Sequence, residues 1–194
     1  MSRLKVRAGQ READVAAEIK NGLRRFGARP AFRIIVASGK RSALPHGFAT
    51  KKVIRRGDFV VIDFGAFYNG YRSDITRTVV VGKPTARQAR IMAVVKEAQK
   101  RGIRAVRAGT RCLEIDRAAR EYIEKSGFGK YFVHGTGHGI SRKTHEAPKL
   151  SRKNRRKVLA GKVITIEPGI YIKGFGGVRI EDMVLVTPRG ARVL

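Results

Sequence analysis

Four residues, Val6-Arg7-Ala8-Gly9, recur as Val106-Arg107-Ala108-Gly109, 100 positions further on. The residues after each copy are also alike. The first copy opens a helix expected over residues 11–26, with Val15, Ile19, Leu23 and Phe26 at helical spacing and Gly27 as its C-cap. The second opens a helix expected over 113–123, ending near Gly127-Phe128. Each helix leads into a histidine-containing, glycine-rich loop and then a hairpin bearing two acids. A duplication on this scale restricts the chain to a fold of two similar halves, about 1–82 and 83–194, within one domain spanning 1–194. The halves are not equal. A long amphipathic helix expected over 85–106, with Ile91, Val94, Val95, Ala98 and Ile103 on one face, precedes the second copy, and the first has no counterpart. One helix of the duplicated fold is therefore expected to be missing, with an exposed apolar patch in its place.

The remaining elements are strands. Residues 32–37 read as a buried strand, and 58–82 as two strands around Asn69-Gly70, the strongest short hairpin signal. Residues 163–172 and 177–186 read as a second hairpin, joined across 174–177. Helices interspersed with antiparallel hairpins make the class α+β. No apolar run approaches the roughly 20 residues that span a bilayer, and the first seven residues lack a signal core. The single cysteine, Cys112, allows no intramolecular disulfide and reads as a core residue in a helix. The expectation is a cytoplasmic protein without membrane contact.

Charge is the unusual property: 43 Lys and Arg against 15 Asp and Glu, a net +28. Two readings stand side by side, contact with RNA or another polyanion and a merely solvated basic surface. Local clusters occur at Lys51-Lys52, Arg55-Arg56 and residues 151–157.

The scarce acids fall in a telling place. A two-residue turn at Asn69-Gly70 pairs Tyr68 with Tyr71, Asp63 with Thr76 and Asp74 with Gly65, which puts both aspartates on one face as diagonal neighbours. In the second hairpin, a turn near Phe175 brings Glu167 and Glu181 roughly opposite each other. Like charges inside apolar strands call for a shared proton or a metal ion. Of four histidines, His46, His134, His138 and His145, the last three lie within twelve residues, in the glycine-rich stretch between the hairpins. Carboxylates with an imidazole suit Mn²⁺, Co²⁺, Zn²⁺ or Fe²⁺, and two such ions can jointly activate water and polarise a carbonyl.

Several runs carry a family resemblance: Val-Ala-Ser-Gly-Lys-Arg-Ser-Ala-Leu-Pro-His-Gly, Val-Ile-Asp-Phe-Gly-Ala, Tyr-Arg-Ser-Asp-Ile-Thr-Arg-Thr, His-Gly-Thr-Gly-His-Gly-Ile, His-Glu-Ala-Pro, Ile-Glu-Pro-Gly-Ile-Tyr and Arg-Ile-Glu-Asp. In order and over nearly the whole chain they resemble the pita-bread metallopeptidases. Glu-Pro-Gly-Ile-Tyr and the 14-residue step from Glu167 to Glu181 look like the aminopeptidase P and prolidase branch. The resemblance implies a pita-bread fold, with pseudo-twofold helix–hairpin units around a curved antiparallel sheet. It implies two divalent ions, Mn²⁺ or Co²⁺ foremost, on Asp63, Asp74, His138, Glu167 and Glu181. Asp74 and Glu181 would bridge the ions, and Glu167 would also manage a proton. His46 and His145 would contact substrate and stabilise the transition state, while His134 and Arg179 would line the pocket or brace the ligands.

The reading is a dinuclear-metal exopeptidase removing N-terminal residues or dipeptides from short peptides, at Xaa-Pro bonds. The separate N-terminal domain usual in that branch is expected to be absent, so a homodimer mate or other partner is expected over the missing-helix surface. The rival is a non-catalytic binding protein of the same fold with a basic nucleic-acid- or ribosome-contacting surface. A third reading, a metal-free creatinase-like enzyme, fits the intact ligand set poorly.

Overall fold

The computed structural model describes residues 5–194; the N-terminal stretch Met1–Leu4, part of the signal-free reading, lies outside them. Helix α1 (Glu12–Arg25) is followed by β1 (Arg29–Pro30), β2 (Ile35–Ser38), β3 (Phe59–Phe64), β4 (Ala66–Tyr68), β5 (Tyr71–Arg72) and β6 (Ile75–Val80). Helices α2 (Ala86–Ala105) and α3 (Cys112–Lys125) lead into β7 (Gly137–Gly139), β8 (Glu146–Leu150), β9 (Val163–Ile166), β10 (Gly169–Ile172), β11 (Gly176–Arg179), β12 (Asp182–Val186) and β13 (Ala191–Val193).

The duplication is visible bond by bond. Gly9 N donates to Ile54 O and Gly109 N to Val158 O; Glu12 N and Ala13 N donate to Lys52 O and Thr50 O, as Cys112 N and Leu113 N do to Arg156 O and Asn154 O. Each basic segment therefore satisfies, with its carbonyls, the free amides at a helix start. Lys51, Arg55 and Arg56 on one side, and Arg152, Lys153, Arg155, Arg156 and Lys157 on the other, extend to solvent.

The strands form antiparallel sheets ordered β2-β3-β6, β1-β4-β5, β10-β11 and β13-β12-β9-β7-β8. Asn69 and Gly70 both take positive φ, 47° and 83°, as the tight hairpin turn demands. The resulting register pairs Asp63 with Thr76 and Tyr68 with Tyr71, as the turn chemistry predicts. In the second hairpin Ile166 pairs with Asp182 and Gly169 with Arg179, so the same register sets Glu167 opposite Glu181. The two halves meet where Glu181 N donates to Thr76 O.

Three expectations about strands need correction. Residues 163–172 and 177–186 are not unbroken strands: each is interrupted beside its glutamate, as the first hairpin is interrupted between Asp63 and Asp74. The strand expected over 32–37 begins only at Ile35. His138 sits on strand β7 within the five-stranded sheet, not in an open loop.

Apolar side chains pack in three clusters. Val15 and Ile19 of α1 cover Val36, Val60 and Ile62. Ile91, Val94, Val95 and Ala98 of α2 meet Ala119 and Ile123 of α3 over Ile170, Ile172 and Val178. Cys112 is fully buried beside Ile115, Ile164 and Val184, a core residue. Thus α2 covers the β10-β11 hairpin. On the corresponding β4-β5 hairpin, Tyr68 and Tyr71 are 55% and 59% exposed, and Phe26 at the end of α1 is 76% exposed.

Candidate metal centre

Close backbone crossings shape the floor of the site. A Cβ on Gly65 would lie 1.8 Å from Ser73 O, and one on Gly137 would lie 1.9 Å from Thr165 O. Only glycine permits these approaches. The first brings the strand carrying Asp63 against the segment carrying Asp74; the second presses the strand of His138 onto the strand that ends at Glu167.

Asp63, Asp74, His138 and Glu181 are 8%, 6%, 7% and 1% exposed, a concentration of ionisable groups that no apolar interior tolerates without compensation. Some compensation is local. Arg179 Nη2 donates to Asp63 Oδ2 at 2.6 Å, Thr76 Oγ1 donates to Glu181 Oε2 at 2.6 Å, and His138 Nε2 lies 3.3 Å from Glu167 Oε1 and 3.8 Å from Asp74 Oδ2. Three buried oxygens, Asp63 Oδ1, Asp74 Oδ1 and Glu181 Oε1, have no hydrogen-bond partner among the described residues. Donor atoms of Asp74, His138 and Glu181 lie within 4.8 Å of one another. The arrangement fits a cation. Unpartnered carboxylate oxygens face inward, and Gly139 O fixes a hydrogen on His138 Nδ1 (3.0 Å), leaving Nε2 to bind a proton or a metal. Glu167 stands beside this trio through His138, and Asp63, tied to Arg179, lines the same cavity.

The electrostatics follow from the crowding. Burial, then the charges of Asp63 and Glu167, pushes the Asp74 carboxyl up to about 8. Burial and the neighbouring acids raise Glu181 well above the usual range, and burial raises Asp63 despite Arg179. Burial works against the charge of Glu167 too, but its hydrogen bond with His138 and the charges of His134, His138 and Arg179 outweigh it, so Glu167 is lowered. His138 is the mirror case: burial disfavours its charge, and Glu167 more than restores it.

A second layer was not legible beforehand. Arg179 Nη1 donates to the Tyr171 hydroxyl at 2.8 Å, and that hydroxyl lies 2.8 Å from His134 Nε2. Since arginine can only donate, the tyrosine hydrogen goes to His134 Nε2. His134 is then a neutral Nδ1–H tautomer, donating to Gly135 O at 2.8 Å. Burial depresses the His134 pKa in keeping with this. Tyr171 belongs to the Glu-Pro-Gly-Ile-Tyr run, but nothing in that run says where its hydroxyl points.

All nine expected site residues, Asp63, Asp74, His138, Glu167, Glu181, His46, His134, His145 and Arg179, line one cavity of about 670 Å³. His145 stacks obliquely on His138 with ring centroids 4.4 Å apart. Phe32, Pro45, Phe48 and Val133 supply an apolar wall that the sequence reading did not anticipate.

Fold and site together define a metallopeptidase, and comparison bears this out: residues 1–188 match the model of metallopeptidase family M24, and the chain belongs to that family. It is 53% identical over 187 residues to an Xaa-Pro dipeptidase of Pyrococcus furiosus, an alignment covering 96% of this chain and 54% of that protein. A solved prolidase from the same organism superposes with a TM-score of 0.96 at 52% identity, covering 97% of this chain and 56% of the other. An X-Pro aminopeptidase from Thermotoga maritima gives 0.94 at 44% identity, over 97% and 54%. The fold is the pita-bread fold of these structures, and the chain spans about half the length of the relatives it matches.

Proposed function

We propose that this chain is the catalytic domain of a metal-dependent exopeptidase that hydrolyses N-terminal Xaa-Pro bonds in short peptides. The observation that carries the proposal is the set of unpartnered buried oxygens of Asp63, Asp74 and Glu181 beside His138 Nε2. Asp63, Asp74, His138, Glu167 and Glu181 would hold two divalent ions, Mn²⁺ or Co²⁺ first, with Zn²⁺ and Fe²⁺ also compatible with the donors. Bound there, such ions polarise a carbonyl and make water acidic enough to attack at neutral pH.

The chain's own residues do the rest. Glu167, held ionised by His138, accepts a proton from the attacking water and returns it to the leaving amine. His46 and His145 at the cavity wall donate hydrogen bonds to the carbonyl oxygen as its charge develops. Arg179 fixes Asp63, and through Tyr171 it fixes the tautomer of His134. Phe32, Phe48 and Val133 offer the apolar surface that a pyrrolidine ring buries, and that surface keeps bulk water from the reacting bond. The Xaa-Pro assignment draws on the names of the relatives and on the Glu-Pro-Gly-Ile-Tyr run.

A cytoplasmic site of action goes with the proposal, on the single unpaired cysteine; no described helix is long and apolar enough to cross a membrane. Exposed Phe26, Tyr68 and Tyr71 are where a homodimer mate or another protein segment would sit. The second reading, a non-catalytic basic protein that binds RNA, is favoured by the net charge of +28. A peptide panel with Mn²⁺ or Co²⁺ separates the two. The proposal expects metal-dependent cleavage of Xaa-Pro peptides, abolished in Glu167→Gln; salt-sensitive RNA binding without cleavage of any peptide would replace it with the second reading.

A further inference from the structure

Helix α3 contributes no ligand to the centre, yet it carries a buried ion pair aimed at the segment that does. Asp116 is fully buried and Arg120 is 5% exposed. Arg120 Nε donates to Asp116 Oδ2 at 2.7 Å, and its Nη2 to Asp116 Oδ1 at 3.0 Å. The same guanidinium reaches across to two carbonyls of the histidine segment. Nη1 donates to Phe132 O at 3.0 Å and Nη2 to His134 O at 2.6 Å, while the plane lies 3.9 Å over the Phe132 ring. Asp116 Oδ1 also accepts from Thr136 N (3.0 Å) and Thr136 Oγ1 (2.9 Å).

The pair thus holds Phe132, His134 and Thr136, and Thr136 holds the centre in turn. Thr136 O accepts from Glu167 N at 2.7 Å, and two residues on stands His138, whose own N donates to Thr165 Oγ1 at 3.1 Å. We infer that Asp116 and Arg120 are positioning residues for the proposed peptidase site, setting the height of the segment from His134 to His138 against Glu167.

Two observations favour this over a role in helix stability alone. Burying an ion pair costs desolvation that an apolar pair of the same volume would avoid, so helix stability alone does not call for charges at this place. The other half also has such a device. Glu12 of α1, fully buried, accepts from Ser38 N, Ser38 Oγ, Thr50 N and Thr50 Oγ1 at 2.7–3.1 Å, and is paired with Arg41. The segment it grips, from Ser38 to Thr50, bears Pro45 and His46 of the cavity wall.

The inference rests on the proposed function, and its test keeps the two apart. Arg120→Lys retains the charge and the pairing along the helix but replaces a planar fork by a single nitrogen, which cannot serve both carbonyls as Arg120 does. Thr136→Val leaves the ion pair whole and removes only one contact of the clamp, and it serves if the first variant folds poorly. In the metal-free chain, imidazole ¹H–¹⁵N spectra are expected to show His134 as one fixed Nδ1–H tautomer in the wild type and as a mixture in either variant. With Mn²⁺, affinity by calorimetry is expected to fall about 10- to 100-fold and kcat by a similar factor with KM changed less. Unchanged imidazole spectra and unchanged Mn²⁺ affinity, with only a lower Tm, would overturn the inference. A wild-type chain that binds no Mn²⁺ would instead refute the proposed function, and the imidazole spectra would still decide the positioning role.

Discussion

Asp74 is 6% exposed, its Oδ1 has no partner among the described residues, and its carboxyl is pushed up to about 8 by burial and by Asp63 and Glu167. The same group in an open chain titrates near 3.9. At pH 7 the unfolded chain has released this proton and the folded, metal-free chain retains it. Three pH units separate 7 from the open-chain value, so the group costs the metal-free fold about 4 kcal/mol at about 1.36 kcal/mol per unit. Asn has the shape of Asp and cannot ionise. Allowing for imperfect fit, Asp74→Asn is expected to stabilise the chelator-treated chain by about 2–4 kcal/mol at pH 7, a Tm rise of roughly 5–15 °C, and by under about 1 kcal/mol at pH 4. With saturating Mn²⁺ the order reverses, because the wild type binds one ion more than the variant and gains the larger stabilisation from binding. Thermal and urea unfolding at the two pH values, with and without chelator, read all four numbers. A variant less stable than wild type at pH 7 in chelator, or equally stabilised at both pH values, would show that Asp74 does not hold a proton in the metal-free fold.

The metal-free wild type has its own pH signature. Raised pKa values at Asp74, Asp63, Glu181 and His138 contribute stability that fades as pH rises, Asp74 between about 4 and about 8, whereas the lowered Glu167 loses its contribution as pH falls below its ordinary range. The stability maximum by calorimetry is expected at mildly acidic pH without metal and nearer neutral with it. Metal binding is also expected to expel protons, about one from Asp74 at pH 7, seen as a dependence of binding enthalpy on buffer ionisation heat. Tyr171→Phe strands a donor of Arg179 and the Nε2 of His134 in a buried site, and should lower stability by about 1–3 kcal/mol in urea unfolding. Gly137→Ala drives a methyl into Thr165 O and is expected to prevent stable folding or to abolish Mn²⁺ binding, checked by circular dichroism and calorimetry.

The parts of this architecture that sequence reveals are those set by local rules. A turn that demands positive φ at Asn69 and Gly70 dictates the register, and the register alone places Asp63 opposite Thr76. The same arithmetic sets Glu167 against Glu181, and the repeated Val-Arg-Ala-Gly marks the duplicated start of both halves. What stays hidden depends on contacts distant in sequence. Asp116 and Arg120 stand four residues apart on a helix, a spacing that exposed pairs share; only tertiary packing shows them buried and gripping Thr136. Tyr171 is visible as a motif letter, but its bridge between Arg179 and His134 needs three separate strands and loops in place. The strand breaks at the glutamates were missed because the apolar runs on either side argue for continuity, while the side chains turn toward a cavity.

In the proposed peptidase, buried acids from two hairpins and the imidazole of β7 form one dinuclear metal centre. Metal analysis of the chelator-stripped chain after dialysis against Mn²⁺ tests it most directly. Two ions per wild-type chain are expected, with the second lost in Asp74→Asn; a wild-type chain that retains one ion or none at saturating Mn²⁺ would rule out a dinuclear centre.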